Sequence, residues 1–181
     1  MRDIYHSDNV SVVVDNNVLI DLFEIRCLNL LFEIFEVVII PKIIYDAELD
    51  EMIKKELKDY KFHLGVISTT IGLETYALLV NEVTFKRLSR YDRFAIAIAK
   101  ENLYYCNSND KPVRNACEKL QVKYTGILGV LGRAFFRGSI NLKQLNSYVE
   151  RLASEDTSCY LDLKLIEQFK VEIRQDEGDQ T

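Results

Sequence analysis

The sequence predicts an α/β protein in which a central, mainly parallel sheet of five strands lies between two layers of helices. Short β-branched runs alternate with longer stretches of helical periodicity, which is the order of elements in a parallel sheet. The two prolines, Pro41 and Pro112, each follow the end of a predicted strand. The composition, 48% hydrophobic and 28% charged over 181 residues, is that of a globular chain long enough to bury a full core.

The N-terminal half begins with a β-branched run at 11–14, which indicates a fully buried central strand. This strand ends at Asp15, and Asn16 or Asn17 is the expected cap of the following helix. The remaining elements of this half are a helix at 28–35, a strand at 37–40, a helix from Pro41 to about Tyr60, a strand at 66–69 and a helix at 73–85.

The C-terminal half continues the alternation. Ser89 is the expected cap of a helix that begins at 88–89, and Gly138 is the expected end of a helix that begins at 125–126. Residues 161–173 fit a helix or a strand equally well. The remaining elements are a strand at 103–106, a helix at 111–120, a strand at 122–124 and a helix at 142–152.

This order of elements predicts a main domain at 1–140, a helical extension at 141–174 packed on it, and a disordered tail at 175–181. The four cysteines show no metal or redox spacing, so we expect reduced thiols in a reducing compartment. No signal peptide and no membrane-spanning run is recognisable, which favours a cytoplasmic protein without membrane contact.

Charge is unevenly distributed along the chain. The whole chain carries a net charge of −5, but residues 84–151 contain 13 Lys and Arg against 5 Asp and Glu. A basic region of this kind is the usual electrostatic footprint for phosphate backbones, although solvated helix faces would give the same pattern. The candidates to contact such a backbone are Lys86, Arg87, Arg90, Arg93, Lys111 and Arg114.

Two carboxylates stand where a parallel sheet binds its ligands, beyond the carboxyl ends of the strands, and a third is a candidate to join them. Asp15 closes the first strand and Asp110 follows the fourth, so the two converge if these strands are neighbours. Asp92 lies in the first turn of the helix before the fourth strand, on the face of Ala95 and Ala99. Clustered carboxylates repel unless a cation joins them, and oxygen ligands without His or Cys select Mg²⁺ or Mn²⁺.

A fourth acid is expected from the helix after Pro41. Most acids on such a helix are solvated, so one or two at most contribute to a site. The candidates are Asp46, Glu48, Asp50 and Glu51.

Four segments in this order resemble the PIN-domain family over about residues 10–150. The run at 12–20 resembles the opening signature, an apolar strand followed by Asp, a small polar residue and Asn or Ser. The runs at 88–99 and 107–116 resemble the third and fourth acidic motifs, and 125–131 resembles the segment that follows them. The resemblance implies a PIN-like three-layer α/β/α sandwich.

Proteins of this family are typically metal-dependent ribonucleases, and many prokaryotic members are toxins of toxin–antitoxin pairs. The resemblance therefore implies RNA as substrate, Mg²⁺ or Mn²⁺ as cofactor, and an antitoxin-like protein as a candidate partner. It implies Asp15, Asp92 and Asp110 as metal ligands and catalytic residues, with Asn17 and Ser108 as supporting polar residues.

The chain departs from the family at the second acidic motif. The family usually places an acid six residues after the proline-like position, where this chain has Ala47. Glu48 is chosen as the fourth ligand because Leu49 follows it, as in the family, and Asp46 remains the alternative. A slip of one residue turns a helical side chain by about 100°, so Glu48 reaches the site only if the backbone adjusts.

Two alternatives to a nuclease stay open at this point. A degenerate, catalytically inactive PIN scaffold would bind RNA or protein without cutting, and the Ala47 departure favours it. The chain would otherwise act mainly as one half of a protein pair, including a homodimer, with 134–160 as a candidate contact surface.

Overall fold

The β-branched run Ser11–Val14 forms the central strand, β1, and all four of its residues are buried. In the computed structural model, which describes residues 3–154, 157–159 and 161–178, β1 lies between two parallel neighbours. The other strands are β2 (Val37–Pro41), β3 (His63–Gly65), β4 (Tyr105–Asn107) and β5 (Tyr124–Thr125). The strand order is β3-β2-β1-β4-β5 and every pair is parallel, as the fold class predicts.

Helices cover both faces of the sheet. They are α1 (Asp3–His6), α2 (Asn16–Glu24), α3 (Asn29–Ile34), α4 (Lys42–Ala47), α5 (Glu51–Leu57), α6 (Thr70–Asn81), α7 (Arg90–Asn102), α8 (Lys111–Lys119), α9 (Ile127–Phe136), α10 (Leu142–Leu152) and α11 (Leu163–Gly178). One face packs Val12 and Val14 against α2, α3, α5 and α9. The other packs Val13 against α6, α7 and α8. The chain is thus a three-layer α/β/α sandwich.

Several boundaries differ from the sequence prediction. The long helix expected from Pro41 to Tyr60 is two helices, because Asp50 takes an extended backbone and its Oδ1 accepts a 2.7 Å hydrogen bond from the Met52 amide at the start of α5. The strand expected at 66–69 lies earlier, at β3, and Thr69 is instead the N-cap of α6. The helix expected at 73–85 is α6, followed by a 3₁₀ turn at Val83–Phe85.

Two strands also begin later than expected. Leu103 has the left-handed backbone (φ 58°) that ends α7, so β4 cannot start there. Gln121 also has the left-handed backbone (φ 55°), and β5 starts at Tyr124 instead of at residue 122. The helix α1 lies in the segment before β1, for which the sequence predicted no helix or strand.

The C-terminal segment resolves the ambiguity at 161–173 in favour of a helix. Ile166, Phe169 and Ile173 are buried at helical spacing on the inner face of α11, which packs on α9 together with α10. This helix continues to Gly178, and residues 179–181 of the expected tail lie outside the described residues. The division at 140 and 141 between a main domain and an extension stays a prediction.

A buried arginine ties three segments together. Arg133, on α9, is only 1% exposed. Its guanidinium donates to the main-chain oxygens of Ile34 (2.9 Å), Ser7 (2.8 Å) and Ile4. The group lies 5.5 Å from the ring centroid of Phe35. Since these oxygens belong to the ends of α1 and α3, the positive charge is balanced by helix C-terminal carbonyls.

Among the described residues, no helix is both long enough and apolar enough to cross a membrane.

Replacing Arg133 by Met should destabilise the protein. The apolar side chain leaves three carbonyl oxygens without their donor, which we expect to cost on the order of 3 kcal/mol in the free energy of unfolding. Urea denaturation measures this as a lower midpoint. Arg137→Gln is the matched control, because Arg137 is 40% exposed in its side chain and bonds only the exposed Asp8 among the described residues; a control as destabilised as Arg133→Met would contradict the explanation.

Candidate metal centre

The two central strands bring the first and fourth acidic motifs together. Val14 of β1 is in register with Asn107 of β4, and the Asp15 amide donates a 3.0 Å hydrogen bond to the Asn107 carbonyl. The segments that follow β1 and β4 leave the sheet at this point. Asp15 is the N-cap of α2 and Asp110 is the N-cap of α8. The expected convergence therefore follows from strand adjacency. Asp15 itself caps α2, so the expected cap at Asn16 or Asn17 was wrong.

Three carboxylates form one cluster at this edge. Oxygens of Asp15, Asp92 and Asp110 all lie within 4.8 Å of one another. Asp15 is buried, Asp92 half-buried and Asp110 exposed, so the cluster opens from the interior towards solvent. These are the three acids that the sequence placed at strand ends and in the first turn of the preceding helix.

Asp15 is the least solvated member of the cluster. Burial raises its pKa to about 7, and the charge of Asp92 adds to the effect. Two hydrogen bonds act in the opposite direction: Oδ2 accepts from Ser108 Oγ (2.9 Å) and Oδ1 from the Asn16 amide (2.8 Å). Burial likewise raises the pKa of Asp110, followed by the charge of Asp92, while Arg114 lowers it.

Asp92 combines a structural bond with its place in the cluster. Ser89 Oγ accepts from the Asp92 amide (3.1 Å), and Asp92 Oδ2 accepts from the Ser89 amide (2.6 Å), which is a capping box at the start of α7. The capping box holds the carboxylate in one rotamer. Its Oδ1 accepts no hydrogen bond from a described residue and is available to a cation.

Ser108 connects two of the carboxylates. It is 2% exposed, donates to Asp15 and accepts a 3.3 Å hydrogen bond from the Asp110 amide. The structure thus brings this residue into contact with the cluster, as expected of a supporting residue. Asn17 is exposed on α2, and none of the hydrogen bonds among the described residues links its side chain to the cluster.

The two candidates for the fourth acid differ in their surroundings. Asp46 is exposed and its Oδ2 forms a 2.6 Å salt bridge with Lys42 on the same helix. Glu48 lies outside the cluster of three but near it. The residue is exposed, yet partial desolvation of its carboxylate and then the negative charge of Asp92 raise its pKa. Because α4 ends at Ala47, Glu48 is the C-cap residue with φ −116°, and its direction is not set by helical periodicity.

Four of the six basic residues expected to contact RNA differ in their surroundings. Arg114 is close enough to Asp110 to lower its pKa, and Lys111 follows Asp110 directly. Arg93 is half-buried, and its Nε is buried without a hydrogen-bond partner among the described residues. Arg90 is exposed and lies 5.8 Å from the ring centroid of Phe94.

Sequence reasoning missed a second buried acid beside the cluster. Asp21, on α2, is 4% exposed, and its Oδ2 accepts a 2.7 Å hydrogen bond from Asn109 Nδ2. Asn109 Oδ1 in turn accepts from the Ile127 amide (2.9 Å) at the start of α9. Gly126 makes room for this contact, since a Cβ there would lie 2.6 Å from Asn109 Oδ1. An acid between the apolar positions of α2 was the available signal.

Asp21 also reaches the C-terminal segment. Burial raises its pKa to about 6, and hydrogen bonds from Cys159 first and Asn109 second lower it. Through Asn109 and Asp21, the loop that carries Ser108 and Asp110 is therefore hydrogen-bonded to α2, to the start of α9 and to the residues before α11.

The cluster has the chemistry of a site for a hard divalent cation. It offers carboxylate oxygens at mutual distances that one ion can span, with no His or Cys among the three. Without a cation, three carboxylates this close repel one another, which agrees with the raised pKa values of Asp15 and Asp110. The three carboxylates thus fit a hard divalent cation.

The fold is a parallel α/β/α sandwich with an acidic cluster at the carboxyl edge of its two central strands. Within this fold class the chain belongs to the PIN-domain family, because a family model described as a PIN domain matches residues 11–175. A comparison with curated proteins found no match.

Replacing Asp15 by Asn should change how stability depends on pH in chelator. The pKa of Asp15 is about 7 in the folded chain against 3.8 as the ordinary value, so the folded state holds this proton more tightly. Its contribution to stability is therefore full below pH 4 and is lost as the pH rises to about 7. Asp15→Asn lacks this loss and should exceed the wild type by about 4 kcal/mol at pH 8, at roughly 1.4 kcal/mol per pKa unit.

Chemical denaturation of both proteins at pH 4.5 and pH 8 measures the effect. A difference between the two proteins that stays constant across this range would contradict the pKa assigned to Asp15.

Adding Mn²⁺ at pH 8 should stabilise the wild type. An ion that binds only the folded state adds about 2.7 kcal/mol at a concentration 100 times its dissociation constant. Asp15→Asn and Asp110→Asn should lose most of this gain, measured as a rise in melting temperature. Asp59→Asn, an exposed acid after α5, is the matched control and should keep it. Equal stabilisation of all four proteins would place the ion elsewhere.

Proposed function

We propose that the chain is a Mg²⁺- or Mn²⁺-dependent ribonuclease that hydrolyses RNA phosphodiester bonds at the acidic cluster, most simply as an endoribonuclease. The observation that carries the proposal is the convergence of Asp15, Asp92 and Asp110 within 4.8 Å at the carboxyl edge of a PIN-domain sheet. Glu48 is the proposed fourth acid.

A bound divalent ion would supply Lewis-acid chemistry, making a water more acidic and offsetting negative charge on the scissile phosphate. The residues of the chain provide the rest. Asp15 is oriented by Ser108 and the Asn16 amide, and Asp92 by its capping box, so their oxygens need little reorganisation when an ion arrives. Ser108 also holds the Asp110 amide, which links the orientation of two ligands.

Positive charge for the substrate lies at the open side of the cluster. Arg114 interacts electrostatically with Asp110, and Lys111 is the next residue along the chain. Arg93 Nε is buried and has no hydrogen-bond partner among the described residues, so it is a donor that a phosphate oxygen would satisfy. We propose that these three residues and Arg90 bind the RNA backbone around the scissile phosphate, with Asn17 at the entrance to the site.

The alternative is a PIN scaffold that binds RNA or protein without cutting. The observation that favours it is the second acidic motif, in which Ala47 occupies the usual position and Glu48 is exposed. A partner protein of the antitoxin type, and a homodimer, belong to the same set of proposals. A nuclease kept in check by an inhibitor and an inactive scaffold differ in one property, which is metal-dependent cleavage by the purified chain.

Purified protein should cut labelled RNA with Mn²⁺ or Mg²⁺ and not with chelator. Asp15→Asn and Asp110→Asn should each reduce the cleavage rate by roughly 100-fold or more, because each removes an ionic ligand from the reacting centre. Asp59→Asn should cut at the wild-type rate. Cleavage that persists in both ligand variants would point to another site or a contaminant, and a folded wild type that cuts nothing would support the scaffold.

A matched pair of variants can identify the residue that acts as the fourth acid. Glu48→Gln should lower the cleavage rate by about 10- to 100-fold, since its carboxylate lies near Asp92. Asp46→Asn should change it by less than about twofold, because Asp46 is paired with Lys42 on the exposed side of α4. Rates measured at saturating Mn²⁺ separate lost chemistry from lost affinity for the ion. The opposite order of effects would assign the role to Asp46.

A further inference from the structure

A basic groove lies beside the acidic cluster and is not part of it. One wall is the segment that leads into α7, with Thr84 and Arg87; the other is a face of α8. The groove has a volume of about 350 Å³. It starts at Lys111, one residue after Asp110, and its opposite wall ends at Leu88, one residue before the cap of α7. The two walls of the groove thus adjoin the starts of α7 and α8, where Asp92 and Asp110 lie.

The wall on α8 is a regular polar stripe. Lys111, Asn115 and Lys119 recur at positions i, i+4 and i+8, which places them on one face of the helix. All three are exposed and line the groove. At 1.5 Å per residue the stripe extends roughly 12 Å away from the cluster, further than a single phosphate group.

The cationic side chains of this groove have no salt-bridge partners in the described part of the chain. Arg87, Lys111 and Lys119 are exposed, and none of them forms an ion pair with another described residue. The acid on the rim, Glu118, instead accepts a 2.6 Å hydrogen bond from the hydroxyl of Tyr124. Three cations against one engaged carboxylate give the groove a positive potential, although the chain as a whole carries −5.

The floor of the groove is apolar. Phe85, Leu88 and Ala116 lie there with Pro112, and the first three are almost fully buried. A cationic rim above an apolar floor suits a ligand with anionic groups along one edge and a flat, weakly polar body. A nucleotide of a single strand has this form, whereas an isolated inorganic anion would leave the floor uncovered.

We propose that this groove is a second RNA subsite, which holds the single strand next to the scissile phosphate. Arg87 and Lys119 bind phosphates one or more nucleotides from the cut, Lys111 binds between them and the cluster, and Asn115 donates to a sugar or phosphate oxygen. The direction of α8 leads the strand from Asp110 outwards. The inference rests on the proposed ribonuclease function for its substrate class, but it concerns binding and not the chemical step.

The test measures RNA binding by the full chain in chelator, where no cleavage takes place. Fluorescence anisotropy with a labelled single-stranded RNA is recorded over a series of salt concentrations. For a single strand, the slope of log K against log salt changes by about 0.7 for each phosphate contact. Lys119→Gln and Arg87→Gln should each reduce the slope by about 0.7, and the double variant by about twice as much.

Lys143→Gln is the matched control, because Lys143 is an exposed lysine on α10, outside the groove. It should keep the wild-type slope. With Mn²⁺ present, the groove variants should raise KM severalfold and leave kcat within about twofold of the wild type, since they remove binding that is uniform along the reaction. A merely structural defect would lower kcat and the melting temperature instead.

Three results would overturn the subsite. The first is a double variant that keeps the wild-type salt slope. The second is a wild type that shows no salt-dependent binding of single-stranded RNA. The third is competition by polyglutamate as strong as that by RNA of equal charge, which would assign the groove to an acidic protein. Failure of the proposed function is a separate result. A wild type that binds RNA through Arg87 and Lys119 but cuts no RNA in any metal would support the RNA subsite and contradict the ribonuclease activity.

Discussion

The pairing of β1 with β4 is the constraint on which the rest of the site depends. Because the strands are parallel and in register, both chains leave the sheet at the same edge, and the Asp15 amide is bonded to the Asn107 carbonyl there. Two acids 95 positions apart in the chain therefore meet, and Ser108 Oγ connects them. A strand order that separated β1 from β4 would leave the same residues as isolated helix caps.

The cluster is built from bonds that stabilise the fold as well. Asp15 caps α2 and Asp92 closes the capping box of α7, so these two carboxylates are held by hydrogen bonds at the start of a helix. Asp110 is the N-cap residue of α8, but its carboxylate makes no capping hydrogen bond. The cost is electrostatic: burial and mutual repulsion raise the pKa of Asp15 to about 7. A divalent cation bound between the carboxylates would offset this repulsion.

The charge distribution extends from this centre to its surroundings. The acids are gathered at one edge of the sheet, while cations of α8 and of the segment before α7 line the groove beside it. A polyanion would be attracted by the cationic side chains and repelled by the carboxylates, unless a cation offset the charge of the cluster. Arg133, by contrast, uses its positive charge inside the fold, where the carbonyls of α1 and α3 surround it.

The sequence alone determined the fold class and the three clustered acids, because β-branched runs, caps and strand-end carboxylates are local signals that survive without tertiary information. It also placed Ser89 as a cap and Ser108 beside the site. It could not determine where α4 stops, since the cap at Asp50 and the turn of Glu48 depend on backbone conformation that helical periodicity does not encode. Asp21 and the groove of α8 needed the tertiary structure as well, because burial of an acid and alignment of two walls are properties of packing between segments distant in the chain.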